Sequence, residues 1–182
     1  MRGINVGGKN KIPMAELKLF LEEQGFADVR TYIQSGNVIL RSELDAKTLS
    51  QKIETMLVSK FKLDSPIVKV LALTHDQLQS IVDNKPKNFG EQPEQYHSDA
   101  IFLIDIDMTQ AISVFSPREG VDEIWPGDGV VYSQRLSPQR TKSRLGKIVG
   151  TPAYRSMTIR NWNTTTKLLK ILNEAKPAKD IN

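Results

Sequence analysis

Residues 29–41, VRTYIQSGNVILR, contain the strongest signal for the fold in this sequence. Two runs rich in β-branched and aromatic residues flank Ser35, Gly36 and Asn37, a pattern typical of a β-hairpin. Glycine at the first of two central positions favours a type II′ turn, because glycine adopts a positive φ without strain. We therefore predict strands over residues 29–34 and 38–41, with a two-residue turn between them.

The turn fixes which side chains of the hairpin would face the core. Because side chains alternate along a strand, one face is apolar and packs against helices, and the other is largely polar. The predicted apolar face consists of Thr31, Ile33, Val38 and Leu40. The predicted cross-strand partners are Ser35 with Val38, Ile33 with Leu40, Tyr32 with Arg41, and Arg30 with Glu43.

The segments on either side of the hairpin complete a known order of elements. Apolar residues at helical spacing predict one helix with Pro13 at its first position, ended by Gly25, and a second helix capped by Asp45. Short strands are predicted over residues 2–6 and 67–73. The order strand–helix–strand–strand–helix–strand is that of the split βαβ, or ferredoxin-like, arrangement.

The same order of elements recurs in the second half of the chain. Predicted strands over residues 100–105, 123–125, 130–132 and 157–159 alternate with helices over 108–115, 141–149 and 164–173. Asp107, three residues before Gln110, is the predicted N-cap of the first of these helices. The predicted fold class is α+β, with two ferredoxin-like (βαββαβ, plait-type) halves, antiparallel sheets with helices on one face, and an extra C-terminal helix. The halves are residues 1–84, including a linking helix, and residues 99–175. Residues 85–98 form a linker or long loop, and residues 176–182 are expected to fray.

Composition excludes several classes of protein. The 182 residues include 39% hydrophobic and 25% charged residues, an ordinary globular balance. The absence of cysteine excludes disulfide scaffolds, thiolate metal sites and cysteine nucleophiles. Only His75 and His97 remain as histidine ligands, so we predict neither a metal site nor a cofactor. Because no apolar run approaches the length of a membrane span, the sequence predicts a cytoplasmic protein without membrane contact.

Charge is distributed unevenly along the chain. The net charge is +4, yet residues 135–170 hold nine Lys or Arg and no Asp or Glu. Residues 81–128 hold ten acids against three bases, a balance of 3 − 10 = −7. This asymmetry suggests a basic surface that faces an anion. Ordinary solvated charge explains the same pattern about equally well.

Three places in the sequence are candidates for anion binding. The loop of residues 7–11 joins a strand to a helix start, where backbone N–H groups and the helix dipole favour an anion; a tight turn is the simpler interpretation. The predicted helix over 141–149 has an outward basic face. The last helix begins near Asn163, its predicted N-cap, and Trp162 beside it is more typical of a core residue. The predicted anion-binding residues are Arg2, Asn5, Gly7, Gly8, Lys9, Asn10, Lys11, Gln34, Ser35, Gly36, Asn37, Arg140, Lys142, Arg144, Arg160, Asn161, Trp162, Asn163 and Thr164.

Three segments together resemble the signature of a bacterial family catalogued as domain of unknown function 1697. They are RGINVGGKNK at residues 2–11, YIQSGNV at residues 32–38 and RNWNT at residues 160–164. The resemblance implies an α+β fold with two plait-like halves, and it implies no reaction. In two places the sequence departs from the family pattern. Met1 directly precedes Arg2 where members have further apolar residues, so a short first strand is expected, and Arg144 stands where members have lysine.

The sequence leaves three functions open. The first is a non-enzymatic binding module for a phosphate-rich partner, which would be a nucleic acid or a phosphorylated small molecule. The second is an enzyme that acts on a small anionic substrate in a cleft between the halves. The third is a structural or self-associating protein, and the pattern does not determine the oligomeric state. The nominees for acid–base chemistry in the second function are Asp28, Tyr32, Glu43, His75 and His97.

Overall fold

The chain folds into two compact units, Met1–Thr74 and His75–Asn182, in a computed structural model that describes residues 1–64 and 68–175. Each unit combines helices with an antiparallel sheet, so the α+β class is confirmed. The helix after residue 74 clusters with the second unit, whereas a domain boundary at residue 84 stays a prediction. The predicted frayed tail lies outside the described residues.

The first unit is built from two helices and a hairpin. Its elements are α1 (Met14–Glu23), β1 (Ala27–Tyr32), β2 (Asn37–Arg41) and α2 (Ala46–Lys60). Both predicted helix ends are confirmed. At the end of α1 the Phe26 N–H donates to the Leu21 carbonyl over 3.1 Å, with Gly25 at φ 88°. At the start of α2 the Asp45 carboxylate accepts the Thr48 N–H over 3.0 Å.

The hairpin register differs from the predicted one. Tyr32 pairs with Asn37 and Thr31 with Val38, so the loop contains residues 33–36 instead of two residues. The Asn37 side chain closes this longer loop by donating to the Tyr32 carbonyl over 3.1 Å. Val38 and Leu40 still pack on the core as predicted. Ile33 does not, because it lies in the loop at φ 50° and is 49% exposed.

The predicted first and last strands of the first unit, residues 2–6 and 67–73, do not form in the described residues. A single bridge joins Arg2 to Lys69, and Ile67 lies outside the described residues. Gly3 and Asn5 have positive φ, which cannot continue a β-ladder. In residues 68–73 the donors turn to α2 instead: the Val70 N–H bonds Glu54 over 2.8 Å. The core of this unit consists of Ile4, Ile12, Met14, Leu17, Phe20, Leu21, Phe26, Val29, Ile53, Leu57, Phe61, Val68 and Val70.

The second unit contains a four-stranded sheet. Its elements are α3 (His75–Asp83), β3 (Tyr96–Leu103), α4 (Met108–Ser113), β4 (Asp122–Gly127), β5 (Val130–Leu136), β6 (Met157–Asn161) and α5 (Trp162–Ala175). The strand order is β4-β5-β3-β6, with antiparallel neighbours throughout. β3 begins inside the predicted loop of residues 85–98. The predicted Asp107 cap of α4 is confirmed by the Gln110 N–H at 2.8 Å.

The two faces of this sheet carry different side chains. Tyr132 on β5 points to a face where Phe89 and Trp162 pack around it. Val131, its neighbour along the strand, points the opposite way into a cluster with Ala111 of α4 and with Ile148. The C-terminal helix therefore covers the sheet face opposite to α4.

The predicted helix over residues 141–149 is wrong. Three short 3-10 turns, Ser137–Lys142, Leu145–Ile148 and Ala153–Ser156, occupy this region. An α-helix would need the Arg144 N–H for its own ladder, but that group donates to the Asp122 carboxylate over 2.7 Å. The Ser143 hydroxyl accepts the next N–H, from Leu145, over 3.2 Å. The predicted helix would place Val149 on one apolar face with Leu145 and Ile148, but Val149 is 60% exposed.

Helix α5 begins one residue after its cap, and the cap is not the predicted one. The Asn161 side chain accepts the Asn163 N–H over 3.0 Å, so Asn161 takes the role predicted for Asn163.

Among the helices in the described part of the chain, none has both the length and the apolar character that crossing a membrane requires.

Candidate anion-binding site

The loop of residues 5–12 in the first unit is held by its own amide groups. The Asn5 side chain donates to the carbonyls of Ile12 and Gln34, each over 2.9 Å, and accepts the Ile12 N–H over 2.8 Å. Asn5 therefore ties this loop to the hairpin loop, and the structure brings these two predicted segments together.

A carboxylate of the chain itself lies at this loop. Asn10 is 2% exposed, its N–H donates to Asp64 Oδ2 over 2.7 Å, and its side chain donates to the Gly3 carbonyl. Asp64 thus accepts a donor in the loop where an external anion was predicted. The more exposed members of the predicted set in this loop are Gly7, Gly8, Lys9 and Lys11, and their contact with a ligand stays a prediction.

The predicted hairpin residues divide into structural and exposed ones. Gly36 is buried, and a Cβ added to it would lie 2.7 Å from Ile4 Cδ1. The N-terminal amine of Met1 donates to the Gly36 carbonyl over 2.8 Å. Asn37 is 6% exposed and donates to Ser35 as well as to Tyr32. Of this group only Gln34 is fully exposed.

The second unit carries the larger set of exposed cations. We call residues 137–156, with the three 3-10 turns, the basic segment. No carboxylate of the described residues forms an ion pair with its Lys and Arg side chains. The segment is anchored by Leu145 and Ile148, which are 7% and 2% exposed. Its exposed cations are Arg140, Lys142, Arg144, Lys147 and Arg155.

A buried carboxylate organises the basic segment from within. Asp122 is 5% exposed, and its Oδ2 accepts the backbone N–H groups of Arg144 and Arg118 over 2.7 and 3.0 Å. Burial acts to raise the pKa of Asp122, but the Arg144 N–H, the Ser143 side chain, the Arg118 N–H and the charge of Arg135 together outweigh it and lower that pKa. Asp122 stays ionised and fixes the backbone that carries Arg144.

The predicted residues near the start of α5 are mostly part of the core or of the cap. Arg160 is half-buried and donates to Thr158 Oγ1 over 2.9 Å and to the Ile159 carbonyl over 2.8 Å. Burial lowers the pKa of its guanidinium. Trp162 is 5% exposed, which confirms the core interpretation of this residue. Asn163 is exposed and Thr164 is half-buried.

The structure contains a second polar cluster, which the sequence did not predict. His97 Nε2 lies 3.1 Å from Asp99 Oδ2 on β3, and Arg135 on β5 is the cross-strand partner of His97. The Asp99 side chain is 15% exposed and that of His97 is 41% exposed. Burial raises the pKa of Asp99 against the opposing effects of His97, Arg135 and Asn161.

The spacing of His97 and Asp99 contained the signal for this cluster. Residues two apart on a strand face the same side of a sheet. Residues 85–98 were interpreted as a loop because of their prolines and polar residues, so His97 was not placed on a strand.

Within residues 1–64 and 68–175, no group of three or more His, Asp or Glu is arranged to hold a metal ion.

The molecule is an α+β protein of two compact units, and the second unit exposes the basic segment. The chain belongs to the family described as "Protein of unknown function (DUF1697)", whose model matches residues 1–132. This match confirms the resemblance seen at residues 2–11 and 32–38. The third segment, residues 160–164, lies beyond the matched range.

A solved structure, that of conserved bacterial protein SP0830 from Streptococcus pneumoniae, is similar to this chain. The two share 28% sequence identity with a TM-score of 0.77, and the alignment covers 94% of each chain. No curated protein matches the chain. The likeness therefore supports the fold, and the function has to be argued from the residues.

Proposed function

We propose that this protein is a non-enzymatic binding module for a phosphate-rich partner, with nucleic acid as the first candidate and a phosphorylated small molecule as the second. The observation that carries the proposal is the basic segment, whose exposed cations have no ion pair with a described carboxylate. We place this function in the cytoplasm, as the absence of cysteine and of long apolar runs favours.

The chemistry of the exposed side chains fits phosphate. Arginine recognises phosphate oxygens with a planar fork of donors, and lysine adds a compact point charge. Asp122 accepts the backbone N–H groups of Arg118 and Arg144, so these two donors are not available to a ligand and the exposed Arg and Lys side chains carry the positive charge. Binding would then depend on charge and weaken steeply with salt, because each phosphate contact releases counterions.

The test is removal of three of these charges. We expect the variant R140A/K142A/R144A to bind a fluorescein-labelled 20-base-pair DNA roughly 10- to 100-fold more weakly at 50 mM salt. The slope of log K against log salt should become shallower by about 3, because each lost phosphate contact removes about one unit. Fluorescence anisotropy at 50 and 200 mM salt measures both quantities.

A matched control removes the same number of positive charges from residues outside the basic segment. The variant K47A/K62A/K87A also removes three exposed cations and should bind nearly as the unchanged protein does. If both variants bound DNA equally weakly, the affinity would depend on net charge and not on the basic segment. Binding that ignores salt, or no binding to DNA at 50 mM salt, would contradict the proposal.

We further infer that the two units are variants of the ferredoxin-like plait. The order β4-β5-β3-β6 supports this inference, because the order along the chain within the unit is then second, third, first and fourth. In the first unit the single bridge between Arg2 and Lys69 joins the segments that would be the first and last strands.

Self-association stays a prediction, and size-exclusion measurement of mass addresses it.

A second candidate function rests on the pair of His97 and Asp99. A carboxylate that orients an imidazole is the arrangement used for proton transfer, and Arg135 beside it would favour an anionic substrate. The raised pKa of Asp99 means that its ionised form is disfavoured by the fold. A side chain that opposes stability in this way is typical of a functional site.

The second candidate predicts the sign of one substitution. For an acid whose folded-state pKa is raised, stability is lost as pH rises from the unfolded value of about 3.9 through the folded value. We therefore expect Asp99→Asn to be at least as stable as the unchanged protein at pH 7, with its advantage shrinking toward pH 4. Urea unfolding at the two pH values measures this, with exposed Asp128→Asn as the control. A clear loss of stability at pH 7 would make Asp99 structural and remove the support for proton transfer.

A further inference from the structure

Four aromatic side chains of the second unit, Phe89, Trp125, Tyr132 and Trp162, pack against one another. Phe89 lies edge-on to Trp162 and Tyr132, with ring centroids 5.0 and 5.3 Å apart, and to Trp125 at 5.9 Å. Phe89, Tyr132 and Trp162 are 1%, 2% and 5% exposed. Their ring faces are therefore closed to any ligand.

Two further contacts fix these rings. The Tyr132 hydroxyl donates to the Ile81 carbonyl over 2.7 Å, and burial raises the pKa of Tyr132 to about 12. A Cβ added to Gly90 would lie 2.1 Å from Trp162 Cδ1, so the indole is pressed against the backbone. Turning Trp162 outward would empty a packed site.

The basic segment itself offers charge without an open ring. Tyr154, the one aromatic residue within residues 137–156, is half-buried and packs on the apolar cluster around Ile101 and Met157. Single-strand binding combines a positive groove with exposed aromatic platforms on which bases stack. The segment supplies the positive charge, and within residues 137–156 it offers no exposed aromatic ring.

We infer that the partner of the basic segment is a double-stranded nucleic acid, bound through its phosphates, an inference that rests on the proposed function. In a duplex the bases are already stacked on one another and the phosphates carry one charge per about 1.7 Å of axis. A surface of exposed Arg and Lys meets that charge density without needing to stack a base.

The charge of the segment sets a bound on the salt dependence. Arg118, whose backbone is held by Asp122, lies beside the segment and donates to the Lys142 carbonyl over 3.4 Å. If Arg118 and the five cations of the segment each contact one phosphate, the duplex slope of log K against log salt is about −5, from roughly −0.9 per contact. A single strand with the same contacts has a slope of about −4, from roughly −0.7 per contact.

The experiment compares a 20-base-pair duplex with dT20 on the full chain. We expect duplex binding at least 10-fold tighter at 100 mM salt. In a Trp125→Phe variant, whose one remaining indole is Trp162 at 5% exposure, we expect tryptophan emission that does not change on binding. Binding of dT20 as tight as the duplex, or quenching of tryptophan by dT20, would overturn the duplex inference while leaving phosphate binding in place. If neither DNA binds and phosphatidylserine vesicles do, the nucleic-acid proposal itself fails.

The R140A/K142A/R144A variant separates a real site from general attraction. It should lose most of the preference for duplex, since the same side chains make the contacts. The K47A/K62A/K87A variant should keep that preference. A preference that survives in R140A/K142A/R144A would place duplex recognition elsewhere on the chain and overturn the inference.

Discussion

Replacement of Trp162 by alanine should lower the free energy of unfolding by about 3–5 kcal/mol, the range for removing a buried aromatic side chain. The indole is 5% exposed, its centroid lies 5.0 Å from that of Phe89 and 6.2 Å from that of Tyr132, and it presses on Gly90. Its loss would leave a cavity between α5 and the sheet. Urea unfolding followed by far-UV circular dichroism measures the change.

The neighbouring residue provides the control for this prediction. Asn163 is exposed, so Asn163→Ala should change stability by less than about 0.5 kcal/mol. Both residues were predicted to contact a ligand, which makes the pair decisive. If Trp162→Ala kept its stability and lost binding to single-stranded DNA, Trp162 would be a stacking residue and its core role would be wrong.

Replacement of Asp122 by alanine should lower the free energy of unfolding by about 3 kcal/mol at pH 7. The substitution leaves the backbone N–H groups of Arg118 and Arg144 without their charged acceptor in a buried place. It also removes the carboxylate that the charge of Arg135 helps to keep ionised. We expect the basic segment to exchange its amide protons faster in this variant, which hydrogen exchange measures.

The lowered pKa of Asp122 gives this prediction a pH dependence. For an acid whose folded-state pKa is depressed, the stabilisation is present above the unfolded value of about 3.9 and is lost as pH falls through the folded value. The difference between the unchanged protein and Asp122→Asn should therefore be constant from pH 5 to 8 and shrink below about pH 4. Glu123→Ala, an exposed neighbour, is the control, and equal stability of Asp122→Asn and the unchanged protein at pH 7 would contradict the prediction.

Local sequence signals predicted the elements whose ends are decided by nearby residues. Gly25 with Phe26, Asp45 with Thr48, and Asp107 with Gln110 each satisfy orphan backbone groups within a few residues. The hairpin register failed because its loop is closed by the Asn37 side chain and tied down by Asn5, which lies far away in sequence. A glycine in the loop predicts a turn, but it does not fix the turn length.

The site shows the same division between local and distant contacts. The excess of Lys and Arg after residue 135 is a property of the sequence, and so is the family motif at residues 2–11. That Asp122 would accept the Arg144 N–H was not visible, because 22 residues separate the two. The spacing of His97 and Asp99 is a local signal that both side chains lie on one face of a strand. The strand itself was not predicted there, because β3 begins at Tyr96, inside the predicted loop.

Residue types and contacts a few positions apart were enough to predict the α+β class, the caps at Gly25, Asp45 and Asp107, the family and the uneven charge. The 3-10 turns of residues 137–156, in place of a helix, and the packing of Trp162 against Phe89 depend on tertiary contacts that the sequence did not predict. The reason is that a backbone N–H or an aromatic ring bonds with the best partner in space. For Arg144 and Trp162 those partners, Asp122 and Phe89, come from distant parts of the chain.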